Sequence, residues 1–125
     1  MTKTSSEDPR LVRFTGICLA FPEATCERYG QHATFRVRKK AFAYYLDDHH
    51  GDGIVGVCFK VSLGENKDLA ELDPARFYIP AYIGPSGWVG LRLDVGEIDW
   101  DEVADFARGS YRHYAPKKLA ALIGS

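Results

Sequence analysis

No apolar run in this sequence approaches the roughly 20 residues needed to cross a bilayer, so no membrane partner is expected. Cysteine is scarce and odd in number. Cys18, Cys26 and Cys58 form no C-x-x-C pair, and their spacing fits no zinc site. A disulfide framework is thereby excluded, and the three read as small buried hydrophobes of a reducing compartment. The first six residues put no apolar stretch behind Lys3, which excludes a secretory signal and points to the cytoplasm.

Catalytic signatures are missing as well. There is no G-x-S-x-G, no H-E-x-x-H, no Walker loop and no G-x-G-x-x-G opening a helix. His32 has no nucleophile near it in sequence and reads as a hydrogen-bonded structural histidine. An enzyme is therefore the least favoured function class, and no cofactor is implied. The run Asp47-Asp48-His49-His50-Gly51-Asp52-Gly53 is rich in ligand atoms. It fails as a calcium loop, because the position that needs glutamate holds Phe59. It reads as a polar hairpin loop with no metal.

What is present suffices for one domain. The chain has 125 residues, 46% apolar and 26% charged, enough to bury about two-thirds of the unfolded surface without a staple. Residues 1–7 read as a loose tail and 8–125 as a single domain.

Asp8-Pro9 starts a helix with Leu11, Phe14 and Cys18 at helical spacing, ended at Phe21-Pro22. Thr25–Tyr29 reads as an edge strand. Thr34–Arg38 follows, with Phe35 and Val37 on one face, then a turn at Lys39-Lys40. Ala41–Leu46 returns with Phe42, Tyr44 and Leu46 inward, and Ile54–Val61 follows after the loop. A short helix spans Glu65–Leu72, with Leu69 and Leu72 inward. A turn at Gly84–Gly87 leads into the strand Trp88–Leu93. Asp99 caps a helix carrying Val103, Ala107, Tyr111 and Tyr114, and Pro116 opens a last short one. Hairpin-length connections imply an antiparallel sheet. Few helices imply an α+β two-layer sandwich, with the helices packed on one face.

The period of two then gathers the remaining strand residues on the other face: Thr34, Arg36, Arg38, Tyr45, Cys58, Lys60, Trp88, Gly90 and Arg92. A basic face with interleaved aromatics suits phosphate neutralisation and base stacking; the bland alternative is a solvated face. Charge is also segregated. Arg28 to Leu46 holds five bases and Arg108 to Ser125 holds four, neither with an acid, while Gly64 to Ala107 holds ten acids against three bases. The net charge of -1 is thus a cancellation of opposed patches. The candidate nucleic-acid contacts are Arg36, Arg38, Lys39, Lys40, Lys60, Trp88, Arg92, Lys117 and Lys118. The alternative is an adaptor for a small anion, metabolite or protein, with a pocket from His32, Lys60, Trp88, Tyr111 and Lys117. Nothing in the sequence points to a dimer.

Three segments carry a resemblance: Gly30-Gln31-His32-Ala33-Thr34-Phe35-Arg36-Val37; Asp73-Pro74 with Phe77, Pro80-Ala81-Tyr82-Ile83-Gly84 and Gly87-Trp88-Val89; and Trp100 with Ser110-Tyr111 and Ala115-Pro116-Lys117. In order and spacing they resemble the MmcQ/YjbR-like family. That resemblance implies a CyaY-like fold in a small, bacterial, cytoplasmic protein described as a double-wing DNA-binding type. It carries over no catalytic residue. Gln31 and Ala33 depart from the family's turn, and the loop 47–53 looks like a local elaboration.

Overall fold

A computed structural model describes residues 8–48 and 51–123. The tail and the two histidines of the 47–53 run lie outside them. Helix α1 (Pro9–Leu19) begins where Asp8 accepts the Arg10 amide, and the Arg10 guanidinium folds back onto the same carboxylate. Six antiparallel strands follow: β1 (Thr25–Tyr29), β2 (His32–Val37), β3 (Lys40–Asp47), β4 (Val55–Lys60), β5 (Phe77–Tyr78) and β6 (Trp88–Arg92), in the spatial order β1-β2-β3-β4-β6-β5. Helix α2 (Glu65–Leu72) precedes β5. Helix α3 (Trp100–Tyr114), capped by Asp99 through the amides of Asp101 and Glu102, is followed by α4 (Lys117–Leu122). The chain is α+β, as its sequence pattern requires.

One sheet face carries the core. Phe14 of α1 meets Phe35, Phe59 and Tyr45, and Tyr111 of α3 stacks on Phe21 and meets Phe42 edge-on. These rings and Leu11, Val37, Val57, Val89 and Val103 are shielded from water. Burial of such side chains stabilises by roughly 1.5–3 kcal/mol each.

Three local readings change. The β2–β3 turn is Arg38-Lys39, not Lys39-Lys40: Val37 pairs with Lys40, and both turn residues have positive φ (49° and 74°). That is the type I′ geometry whose twist suits a tight hairpin. In β3, a bulge opposite Phe35 and Arg36 inserts one extra residue. Phe42 and Ala43 therefore both reach the core, Tyr45 follows them inward, and Tyr44 and Leu46 turn to the second face. In α2 the buried side chain is Asn66, whose amide donates to the carbonyls of Gly84 and Trp88, while Leu72 is exposed. Of the cysteines, Cys18 and Cys58 are buried and Cys26 is half-buried on edge strand β1.

Ser110, wholly buried on α3, ties helix to sheet. Its hydroxyl donates to the Phe42 carbonyl at the bulge and accepts the Lys60 amide at 2.9 Å. Ser110→Ala leaves both backbone groups buried without that partner. It is expected to cost about 2–4 kcal/mol, read as a lower denaturation midpoint with an unchanged m-value.

Candidate functional site

The β2–β3 hairpin and the C-terminal end of α3 share one end of the sheet. Arg38 of the turn pairs with Glu23 side-on, Nε and Nη2 each donating to one carboxylate oxygen. That ion pair holds the Glu23 carboxyl below its ordinary range, and Lys118 of α4 adds to the effect. Glu23 is thus gripped by Arg38 of the hairpin, and Lys118 of α4 is near enough to favour its charged form. Tyr111 fixes the arrangement from beneath, its hydroxyl donating to the Pro22 carbonyl at 2.8 Å. Lys39, Lys40, Lys117 and Lys118 are exposed at this end.

The other sequence candidates separate. Arg36 points to the second face beside Tyr44, pairs with Glu27 at 3.0 Å and donates to the Lys39 carbonyl. Lys60 is half-buried and its Nζ donates to the Val61 carbonyl. Arg92 lies at the opposite end of the sheet, paired with Asp94. Trp88 is only 5% exposed, lying between Tyr44 and Tyr114 with its ring stacked on the latter, so no base can stack on it. Tyr45 is wholly buried on the core face. The continuous basic and aromatic sheet face is therefore not formed. The alternative pocket is not assembled either. Tyr111 lies under the sheet, Trp88 above it, and His32 and Lys60 line different cavities.

The second sheet face is largely covered, for a reason visible in the glycines. Gly56 and Gly90 leave a flat bay into which the Tyr78 ring lies; a Cβ at Gly90 would sit 2.2 Å from that ring. Cys58 shares this buried layer, 3.9 Å from the Tyr78 hydroxyl, and burial pushes its thiol up to about 12. It is inert at neutral pH. From Tyr78 the chain runs back over β2 and β3, leaving a groove of about 710 Å³. Its floor is His32, Thr34, Tyr44 and Leu46, and its far wall is the segment 78–83. The His32 ring is held by Nε2–H donating to the Asp47 carbonyl at 2.8 Å, since a carbonyl can only accept. The Asp48 and Asp52 carboxylates accept the amides of Gly53 and Ile54.

The acidic middle of the chain lines a second cavity, of about 960 Å³, with Glu65, Asp99, Asp101, Glu102 and Asp105 among its walls. Among the described residues, no group of three or more histidines, cysteines or carboxylates could hold a metal ion. No helix among them is long and apolar enough to cross a membrane.

The family model for YjbR matches residues 19–113. The chain belongs to the YjbR family. No curated protein matches it. Among solved structures, it resembles the crystal structure of Deinococcus radiodurans protein DR2400, a DUF419 domain, with a TM-score of 0.65 and 18% identity over 86% of this chain and 79% of that one. At that identity the likeness speaks for the fold alone. The β2–β3 hairpin and the groove lie within the YjbR match, and α4 lies beyond it.

Sequence reasoning missed the groove. The available signal was the alternation that puts Gly56 and Gly90 on one face, with an aromatic residue in the strand beyond. Gly90→Ala is expected to push Tyr78 out of its bay and destabilise by about 1–3 kcal/mol, measured by chemical denaturation.

Asp8 and Asp94 are each held below the ordinary carboxylate range, first by their bonds to Arg10 and Arg92. Their folded pKa values lie below the unfolded ones. The stability they add is therefore complete above about pH 5 and lost as pH falls through the folded values. Asp94→Asn is expected to lower stability by about 1–2 kcal/mol at pH 7. Melting curves of variant and wild type should converge towards pH 2.

Proposed function

We propose that this YjbR-family protein binds duplex DNA through its phosphate backbone, using the basic end built by the β2–β3 hairpin and α4. The observation that carries the reading is the exposure of two lysine pairs, Lys39-Lys40 of the hairpin and Lys117-Lys118 of α4, with Lys118 near enough to Glu23, the partner of Arg38, to favour its charge. The family resemblance implies the same activity.

Lys39, Lys40, Lys117 and Lys118 supply the exposed charge. Ammonium groups on flexible stems suit phosphates as point charges. Arg36 and Arg38, each already engaged by a carboxylate, position the hairpin. Duplex is favoured over single-stranded nucleic acid because Trp88, the tryptophan nearest this end, is buried and cannot stack on bases. Binding of this kind reads charge spacing and carries no base code. It fits a cytoplasmic module without catalysis.

Fluorescence anisotropy of a labelled duplex against salt tests this. Four phosphate contacts predict a slope of log K against log salt of about -3 to -4. Lys117→Gln with Lys118→Gln should make that slope shallower by about 2, and so should Lys39→Gln with Lys40→Gln. Lys67→Gln, on α2, should leave it unchanged. No binding at low salt, or a slope indifferent to both lysine pairs, refutes the reading.

A further inference from the structure

Three charged residues at the basic end stand in left-handed backbone: Glu23 (φ 59°), Arg38 (49°) and Lys39 (74°). The hairpin turn accounts for the last two. Glu23 belongs to a different turn. The Ala24 amide donates to the Phe21 carbonyl at 3.2 Å, across Pro22 and Glu23. Proline second and positive φ third is the type II pattern, whose third position calls for glycine or asparagine. A glutamate there carries a steric cost that glycine would not. We propose that the Glu23 carboxylate plugs a phosphate-binding fork on Arg38, and so keeps the basic end from making one more contact with DNA. The plug acts on the duplex-binding role proposed for that end, and rests on it.

The geometry of the pair is that of an anion site. Arg38 Nε and Nη2 each donate to one Glu23 oxygen, the second at 3.1 Å. A phosphodiester offers two oxygens to the same two donors, and arginine grips carboxylate and phosphate in this one way. The Arg38 and Glu23 side chains are 54% and 49% exposed, so a duplex can reach them. An ion pair this open to water is weak against a free competitor. Tethering changes the balance, because a carboxylate carried on its own turn competes at high local concentration. The turn is anchored, since the Tyr111 hydroxyl donates to the Pro22 carbonyl at 2.8 Å. Lys118 is near enough to favour the charged form of Glu23, and a phosphate in its place gains the same second cation.

The neighbouring pair, Glu27 with Arg36, is the natural contrast. It carries the same charges and lies on the adjoining strands β1 and β2. Glu27 sits in ordinary strand backbone, so no steric cost attends it. Arg36 is turned to the second face beside Tyr44, and it donates to the Lys39 carbonyl as well as to Glu27. Neutralising Glu27 changes the net charge as neutralising Glu23 does, but it frees no fork at the hairpin tip.

Anisotropy of a labelled duplex, measured against salt with the full chain, tests the plug. Glu23→Gln is expected to bind about five- to tenfold tighter at about 0.1 M salt, with a slope steeper by about 1, as one added phosphate contact requires. Glu23→Gly, which the left-handed turn favours, should give the same gain in a folded protein. Adding Arg38→Gln to Glu23→Gln should return the slope to the wild-type value. Glu27→Gln should change affinity by less than about twofold. The Arg38 Nε–Hε resonance should move on adding duplex to Glu23→Gln and stay in place in the wild type. Suppose the wild type binds through its two lysine pairs. No gain in Glu23→Gln and Glu23→Gly, an equal gain in Glu27→Gln, or an unmoved Arg38 resonance in Glu23→Gln then overturns the plug alone. Absence of binding by wild type and variants at low salt overturns the duplex reading, and the plug with it.

Discussion

A single buried hydroxyl sets the relation between the two halves of this fold. At the β3 bulge the strand carries one residue more than its neighbour, and the Phe42 carbonyl is aimed at α3. Ser110 donates to it and takes the Lys60 amide at the end of β4. The helix is thereby pinned against two adjacent strands at one point. Tyr111, the next residue, fills the space beneath with its ring between Phe21 and Phe42. Because buried polar groups must find partners, the bulge and the serine require each other. The C-terminal end of α3, and with it α4 and its lysines, is carried to the hairpin end by the same contact.

Much of the architecture can be read from local chemistry. Asp8 before Pro9 and Asp99 before an amphipathic run mark helix starts that the structure keeps, and Thr25–Tyr29 is a strand in both readings. The face of β3 is another matter. Phe42-Ala43-Tyr44-Tyr45 offers two adjacent tyrosines, and alternation alone favours Phe42, Tyr44 and Leu46. One inserted residue shifts every later side chain to the opposite face, and nothing in the local sequence marks the insertion. The partner that stabilises it is Ser110, 68 residues away. A period-two argument cannot see that.

The candidate site was half legible for a related reason. Acid-free stretches are a property of the chain, but pairing is a property of the sheet. Glu23 and Glu27 precede the first stretch in sequence, yet they reach Arg38 and Arg36 once β1 lies against β2. Arg92 meets Asp94 two residues on. The arginines, with planar forks suited to carboxylates, are thus engaged inside the fold, and the lysines of the hairpin and α4 are left outward. Charge available to a partner is smaller than the arginine count suggests, and more localised. Trp88 follows the same logic. Its strand face was inferred rightly, but the connection that brings Tyr44 and Tyr114 around it is tertiary.

The residues with positive φ show how the fold accommodates backbone strain. Arg38 and Lys39 take that conformation because a two-residue hairpin needs it, and the fold gains a tight turn. Asp48 tolerates it as aspartate does, its carboxylate accepting the Gly53 amide. Glu23 holds it while gripping Arg38. In each case the side chain or the turn returns something to the fold. Tyr82 takes it at the centre of a γ-turn that the Ile83 amide closes on the Ala81 carbonyl. Strain persists where the surrounding structure over-determines it, and here the neighbours are buried Pro80 and Gly84, whose backbones are bonded across the turn.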